Sequence, residues 1–255
     1  MENAFGQPQN VVVLGGSSDI ARAITKKLCA ARARSVVLAG RNEQLLAVAE
    51  AEARHFGATS TATVIFDAQD IANAAHTVRE SFEKAGDKVD LVIIAVGLLG
   101  DQRADEDDAA AAARIMTVNL TWPVAALAEI RRRLVAQGSG RILVISSVSG
   151  IRVRRTMYLY GGAKAGLDRL CDGLADSLEG TGVTLQILRA GVVRTKMTTG
   201  HKEPPFTTGP DEVADNVLKG LATSTRVLWS PPVLRYVFAV LRHLPRPLFR
   251  AITDR

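Results

Sequence analysis

Val11-Val-Val-Leu14-Gly15-Gly-Ser-Ser-Asp19-Ile20-Ala21 decides the fold of this chain. Its first four residues are apolar and three are β-branched, as suits a parallel strand covered on both faces. Gly15 and Gly16 break the run, and Ile20, Ile24 and Leu28 then recur at helical spacing up to about Arg32. The unit is a strand, a Gly/Ser turn and a helix. It repeats downstream, with strands expected at 35–39, 62–66, 91–95, 142–145 and 183–188, and helices at 43–56, 73–85 and through the Ala-rich stretch 108–136. Residues 226–229 offer a further edge strand before Pro231-Pro232 stops it. Strands and helices alternating at this length predict right-handed βαβ crossovers and an α/β, doubly wound, Rossmann-like parallel sheet.

At 255 residues, 47% of them hydrophobic and 23% charged, the chain suits a single domain with one buried core. No low-complexity linker divides it. The expected organisation is a Rossmann-like body over 1–230 and a basic amphipathic helical tail over 231–255. The tail holds most of the formal charge of +6, since from 226 to 255 six arginines face Asp254 alone, giving that segment +5. The body is therefore almost neutral. Only 5% of residues are aromatic, too few for a nucleic-acid platform built on stacked rings, so no nucleic-acid partner is expected. Cys29 and Cys171 stand far apart with no CxxC or Cys/His cluster, which argues for reduced, buried thiols and against a zinc site or other metal centre. Residues 1–10 lack the apolar core of a signal peptide, and no run of about 18 apolar residues exists, so a cytoplasmic protein is expected.

In a doubly wound sheet, ligands bind at the carboxyl ends of the strands. Gly15, Ser17, Ser18, Asp19 and Ile20 form a turn whose N–H groups and hydroxyls can reach a pyrophosphate at a helix N-terminus. A bare Gly-Gly-Ser turn is equally a plain strand-to-helix connection. Tyr160-Gly-Gly-Ala-Lys164 speaks more sharply, because Ser147 precedes it by thirteen residues at the end of a strand. Tyr and Lys at i and i+4 share a helix face, so the ammonium is expected to lower the tyrosine pKa from about 10 and make the phenol a usable acid and base. Ser147 can hydrogen-bond the same substrate oxygen. Tyr158 lacks such a partner, since position 162 is Gly. Arg41, following the second strand, stands where a 2′-phosphate would lie, with no acid at 39 or 40 to hold a ribose diol. That favours NADP(H), although no second basic residue supports it in the first turn.

These residues together resemble the short-chain dehydrogenase/reductase family over residues 10 to 230. The family's glycine-rich turn matches Gly15 to Ala21, its Asn-Asn-Ala-Gly segment matches Ile94-Ala95-Val96-Gly97, and its catalytic asparagine matches Asn119. The active-site serine falls on Ser147 and the Tyr/Lys pair on Tyr160 and Lys164. The resemblance further assigns Asp67 to the adenine amine, and Ala95, Gly97, Val193 and Thr195 to the dinucleotide, the last two orienting the carboxamide. It implies that Lys164 also holds the nicotinamide ribose and that Asn119 fixes a water leading from Lys164 to solvent. Two departures stand out: Asp19 and Ala21 replace glycines of the family turn, and Ile94-Ala95 replaces the Asn-Asn pair. Asp67 has the plainer reading of a strand-end cap.

Arg152, Arg154 and Arg155, with Arg194, Lys196 and Lys202, border the expected substrate mouth and suit an anionic substrate, or else a solvated surface or subunit contact. In the tail, Leu234, Val237, Phe238, Leu241 and Leu244 fall on one stripe flanked by arginines, as for a helix lying on anionic lipid or packing on the body or on a partner subunit. The whole chain, including Trp229-Ser-Pro-Pro232, is also similar to family members that act on a lipid-linked phosphosugar. That resemblance implies NADH-dependent reduction at C2 of decaprenylphosphoryl-2-keto-ribofuranose to the arabinofuranose, for cell-wall arabinan. It also implies a flavin-dependent oxidase supplying the keto-sugar, a homo-oligomer, and a place at the inner face of the plasma membrane. The competing readings are a reductase of a 3-ketoacyl or steroid-like carbonyl using NADPH, and a non-catalytic dinucleotide sensor.

Overall fold

The computed structural model describes residues 7–253 except 87, 201, 202 and 224. Seven strands, β1 (Asn10–Leu14), β2 (Ser35–Gly40), β3 (Ser60–Ile65), β4 (Leu91–Ile94), β5 (Gly140–Ser147), β6 (Val183–Ala190) and β7 (Val227–Ser230), form one sheet in the order β3-β2-β1-β4-β5-β6-β7. Every pairing is parallel. The order reverses between β1 and β4, where Leu14 pairs with Ile94, and the crevice for a ligand opens beyond that pair.

Continuous apolar strands are explained by two buried faces. Val11 and Val13 point into the layer built by α1 (Asp19–Ala30), α2 (Glu43–His55) and α8 (Pro210–Leu221). Val12 and Leu14 point the other way, into the layer of α3 (Ala74–Lys84), α6 (Trp122–Gln137) and α7 (Tyr158–Ser177). Trp122 is fully buried and stacks on Phe66 with ring centroids 4.5 Å apart. Cys29 and Cys171 are buried free thiols, and burial pushes them up to about 11 and about 12.

The stretch 108–136 is not one helix. After the short α4 (Gln102–Asp105) come α5 (Ala109–Met116), a π-helical turn over Thr117–Thr121, and then α6. Helical periodicity alone cannot report the extra residue that such a turn inserts. Strand β5 also runs further than its apolar residues, because Ser146 and Ser147 continue the ladder to Arg189 and Ala190 of β6.

The tail forms α9 (Leu234–Leu241) and α10 (Arg246–Thr253). Of the readings open for the stripe, the structure shows packing on the body: Leu234 is buried, and Val237, Phe238, Leu241 and Leu244 are half-buried. Asp254 and Arg255 lie outside the described residues. Among the described residues, no helix is long and apolar enough to cross a membrane.

Candidate active site

The turn after β1 is held tightly. Gly15 and Gly16 donate N–H bonds to Ala39 O at 2.8 and 2.9 Å, and Ala95 donates to Leu14 O at 2.7 Å. Gly15 has φ +92°, and a Cβ there would stand 2.7 Å from the Ala95 carbonyl carbon, so only glycine lets β1 and β4 approach this closely. Ser18 is the N-cap of α1 yet makes no side-chain cap hydrogen bond, which leaves the first N–H groups of the helix for a ligand. This donor set fits a dinucleotide pyrophosphate. Ser17 Oγ lies 3.7 Å from where a Gly40 Cβ would be, so the turn reaches the end of β2. Arg41 is exposed immediately after that strand.

Asp19 behaves differently from a cofactor ligand. Its Oδ2 accepts the backbone N–H of Lys196 at 2.8 Å, and its Oδ1 stands 3.9 Å from both Lys196 Nζ and an Arg22 nitrogen. Asp67 is exposed and accepts the Gln69 N–H at 2.9 Å, the strand-end capping role, while remaining at the carboxyl edge of β3. Val193 is buried and bridges Thr208, while Thr195 donates its N–H to Thr198 Oγ1 at 3.0 Å within a capping box. A cleft of about 380 Å³ lies between Asp19 and this segment, lined by Val192, Arg194, Thr195, Lys196 and Thr198 among others.

Across the crevice, β5 delivers Ser147 and the first turns of α7 deliver Tyr160 and Lys164. Ser147 and Tyr160 share a side-chain hydrogen bond. Lys164 is buried and donates from Nζ to Ile145 O at 3.1 Å, with Nζ 5.8 Å from the Tyr160 ring centroid. Asn119, in the π-helical turn, is 0% exposed; its amide donates to Leu98 O (2.7 Å) and Ile115 O (2.9 Å) and accepts from Leu98 N–H (3.1 Å). A Cβ on Gly97 would lie 3.3 Å from Asn119 Oδ1 and 3.8 Å from Lys164 Nζ. The four catalytic candidates and Gly97 therefore meet around one point. Tyr158 is exposed and takes no part.

One electrostatic expectation is overturned. Burial pushes the Tyr160 phenol up to about 12, opposed only in part by the Ser147 hydrogen bond, and the same burial pulls Lys164 down to about 8. Desolvation outweighs the attraction that i,i+4 spacing promised, because the ammonium turns to Ile145 O. The Tyr160 phenol is thus protonated at neutral pH.

The basic residues of the mouth are largely engaged. Arg152 donates to Leu241 O and Arg242 O at 2.8 Å each and lies 4.3 Å from the centroid of the Phe249 ring. It caps α9 and clamps α10 and does not stand open for a substrate anion. Arg194 pairs with Glu203, Lys196 with Asp19, and Arg154 reaches Met157 Sδ; Lys202 lies outside the described residues. The residue-level reading missed Met197, whose Cε lies 3.9 Å from the Gly97 Cβ position, and the Leu98 backbone that grips Asn119. Met197 follows Thr195 by two residues, which was the available signal.

The chain belongs to the short-chain dehydrogenase family, whose model matches residues 9–205. It is an oxidoreductase that uses NAD(P)(H). An uncharacterized oxidoreductase of Mycobacterium tuberculosis is 40% identical over 240 residues, covering 94% of this chain and 95% of that protein. Another, of Streptomyces coelicolor, is 39% identical over 251 residues, covering 98% of each. Among solved structures, a Sphingobium yanoikuyae short-chain dehydrogenase in complex with NADPH is similar with a TM-score of 0.79 at 24% identity over 91% of each chain. A Burkholderia cenocepacia short-chain dehydrogenase in complex with NADP gives 0.78 at 20% identity, over 94% of this chain and 95% of that one.

Proposed function

We propose that this enzyme reduces the C2 ketone of decaprenylphosphoryl-2-keto-ribofuranose to the arabinofuranose, with NADH as donor, completing an epimerisation begun by a flavin-dependent oxidase. The product would supply cell-wall arabinan. The observation that carries a lipid-linked substrate is the entrance to the site. Val153 and Tyr158, before the catalytic tyrosine, and Met197 and Phe206, after β6, are large apolar side chains left exposed on the two segments flanking the reaction centre. Lys196, 3.9 Å from Asp19, adds positive charge to the second of these segments, so a phosphate would compete with that carboxylate while an apolar tail finds matching surface beside it.

When bound, the nicotinamide supplies the hydride. Tyr160, which burial keeps protonated, gives its proton to the more basic forming alkoxide, and Ser147 donates a hydrogen bond to the same oxygen. Lys164 and Asn119 hold the floor beneath Gly97, and Lys164 provides a protonated group near neutral pH for restoring the Tyr160 proton. Comparing turnover of the lipid phosphosugar with its dephosphorylated analogue tests the substrate. Phosphate-dependent reduction is expected, and equal rates would favour the reading as a reductase of ketoacyl or steroid-like carbonyls. The exposed Arg41 favours NADPH as the alternative donor, which a comparison of kcat/KM for the two dinucleotides decides. Tight dinucleotide binding with no carbonyl reduction at all would instead indicate a sensor.

A further inference from the structure

We propose that Gln102, in the short helix α4, is a positioning residue for Tyr160: its side-chain carbonyl caps the N-terminus of α7 and fixes the turn that presents the phenol to the substrate carbonyl. The proposal concerns the proton-transfer step of the reductase and holds whichever ketone is reduced. Only its assay uses the keto-sugar.

Helix α7 starts without a cap of its own. Its N-cap residue, Met157, makes no side-chain cap hydrogen bond, and a thioether does not supply the oxygen that Ser, Thr, Asp or Asn would place there. The Met157 sulfur is turned instead to Ser149 Oγ at 3.5 Å and to an Arg154 nitrogen at 2.8 Å. Tyr158, Leu159 and Tyr160 are the first three helical residues, so the catalytic tyrosine stands in the turn whose N–H groups lack partners within the helix. Gln102 Oε1 accepts the Leu159 N–H at 3.0 Å from 57 positions earlier in the sequence. Leu159 is the second helical residue, a position that an N-cap side chain commonly serves.

The other end of the amide fixes its orientation. Nε2 donates to Glu106 Oε2 at 3.1 Å. A carboxylate only accepts and a backbone N–H only donates, so turning the amide over would break both bonds. Gln102 is in turn held by its own helix: Asp101 accepts the Arg103 N–H at 3.0 Å, and its N–H donates to the buried Asp105 Oδ2 at 2.7 Å. Upstream, Asn119 grips both the N–H and the carbonyl of Leu98. The segment after β4 is thus fastened at Leu98 to the π-helical turn and at Gln102 to the start of α7.

This arrangement ties the proton donor to the wall that carries Gly97. Without the Gln102 carbonyl, the Leu159 N–H would turn to water and the first turn of α7 would fray, so the Tyr160 hydroxyl would spend less time within reach of the reacting oxygen. Lys164 lies a full turn further on and is held separately by Ile145 O. The loss should therefore fall on kcat and leave dinucleotide binding in place.

Two variants of the full chain test this. Gln102→Met keeps the length of the side chain and removes its acceptor. Gln102→Glu/Glu106→Gln exchanges the two side chains, conserving charge and keeping an acceptor for Leu159, with the amide at 106 now donating to the carboxylate at 102. Gln102→Met is expected to lower kcat for the keto-sugar lipid by about tenfold, with dinucleotide affinity within about twofold of wild type. Amide exchange over residues 158–162, read by mass spectrometry, should speed up by about fivefold or more, the factor that a helix cap is worth. The exchanged pair should return both readings to within about threefold of wild type. Unchanged kcat or unchanged exchange in Gln102→Met overturns the proposal, as does a loss of dinucleotide affinity that matches the loss of kcat. An exchanged pair that protects the turn but stays slow overturns it too, since packing and not the cap would then be at work. If wild type does not reduce the keto-sugar, the substrate reading fails, and the exchange comparison alone decides the cap: faster exchange in Gln102→Met reversed in the exchanged pair sustains it, and its absence overturns it.

Discussion

Asp19 Oδ2 accepts the backbone N–H of Lys196 at 2.8 Å, tying the first residue of α1 to the segment after β6 across 177 positions of sequence. This is the position where the family turn carries glycine. A carboxylate there does not complement a pyrophosphate; it anchors the turn containing Thr195. Asp19→Ala is expected to free that turn, raising KM for the dinucleotide by about fivefold and costing about 1 kcal/mol of stability, the worth of one partly exposed hydrogen bond. Asp19→Asn keeps an acceptor and removes the charge, so its KM should stay at or below that of wild type. A KM in Asp19→Asn as high as that of Asp19→Ala would show that charge and not positioning is what Asp19 supplies.

Tyr160→Phe removes the proton donor and leaves Ser147, Lys164 and the Gly15 turn in place. Turnover should fall by about 10³-fold or more, while dinucleotide affinity, read by protein fluorescence, stays within about twofold. Near-normal turnover would mean that another group protonates the alkoxide.

Lys164, depressed to about 8, makes the pH dependence directional. Reductive kcat should hold through neutrality and decline as pH rises above about 8, where the ammonium loses its proton. Between about 8 and 10.5 the unfolded chain binds this proton and the folded one does not, so this residue's penalty on stability fades as pH rises through that window. Lys164→Met should therefore be inactive but more stable than wild type at pH 7, by on the order of 3 kcal/mol, with the advantage vanishing near pH 10.5. Thermal scans at the two pH values check the sign; a less stable variant at pH 7 would mean that the bond to Ile145 O outweighs desolvation.

The strands, and the meeting of Ser147, Tyr160 and Lys164, were legible in the residues because each rests on a local pattern: apolar runs ending in Gly15, Ala95 or Ser147, and the Tyr160/Lys164 spacing. What was not legible depends on contacts far apart in the chain. The π-helical turn is gripped through Asn119 by the Leu98 backbone, which nothing in the Ala-rich stretch reveals. The tail's apolar arc is broad enough to pack on either side, and the clamp by Arg152 and Phe249 selects one. Burial, invisible in i,i+4 spacing, reverses the expected shift of Tyr160.

Arg41 makes a separable prediction. It is exposed at the end of β2, close to the Ser17 side of the glycine turn. Arg41→Ala should lower kcat/KM for NADPH by about tenfold, the loss of one charge-assisted contact, and leave NADH use unchanged. Equal losses with both donors would place Arg41 on a part of the dinucleotide that the two share.

Asn119→Ala tests the hinge on which the site is mounted. The buried amide makes three hydrogen bonds to backbone groups of Leu98 and Ile115, and these join the loop after β4 to the π-helical turn. Alanine removes all three partners at once, and leaving buried backbone groups unpaired costs about 2–4 kcal/mol, or roughly 5–10 °C in Tm for a chain of this size. The loop carrying Gly97 should shift with it, so turnover should fall further than stability alone explains. Asn119→Asp retains the acceptor for Leu98 N–H, but its carboxylate cannot donate to Leu98 O or Ile115 O and sets a buried charge beside them; it should be at least as destabilised as Asn119→Ala. A Tm within about 1 °C of wild type for Asn119→Ala would show that the π-helical turn is held by its own packing and that the amide serves the chemistry alone.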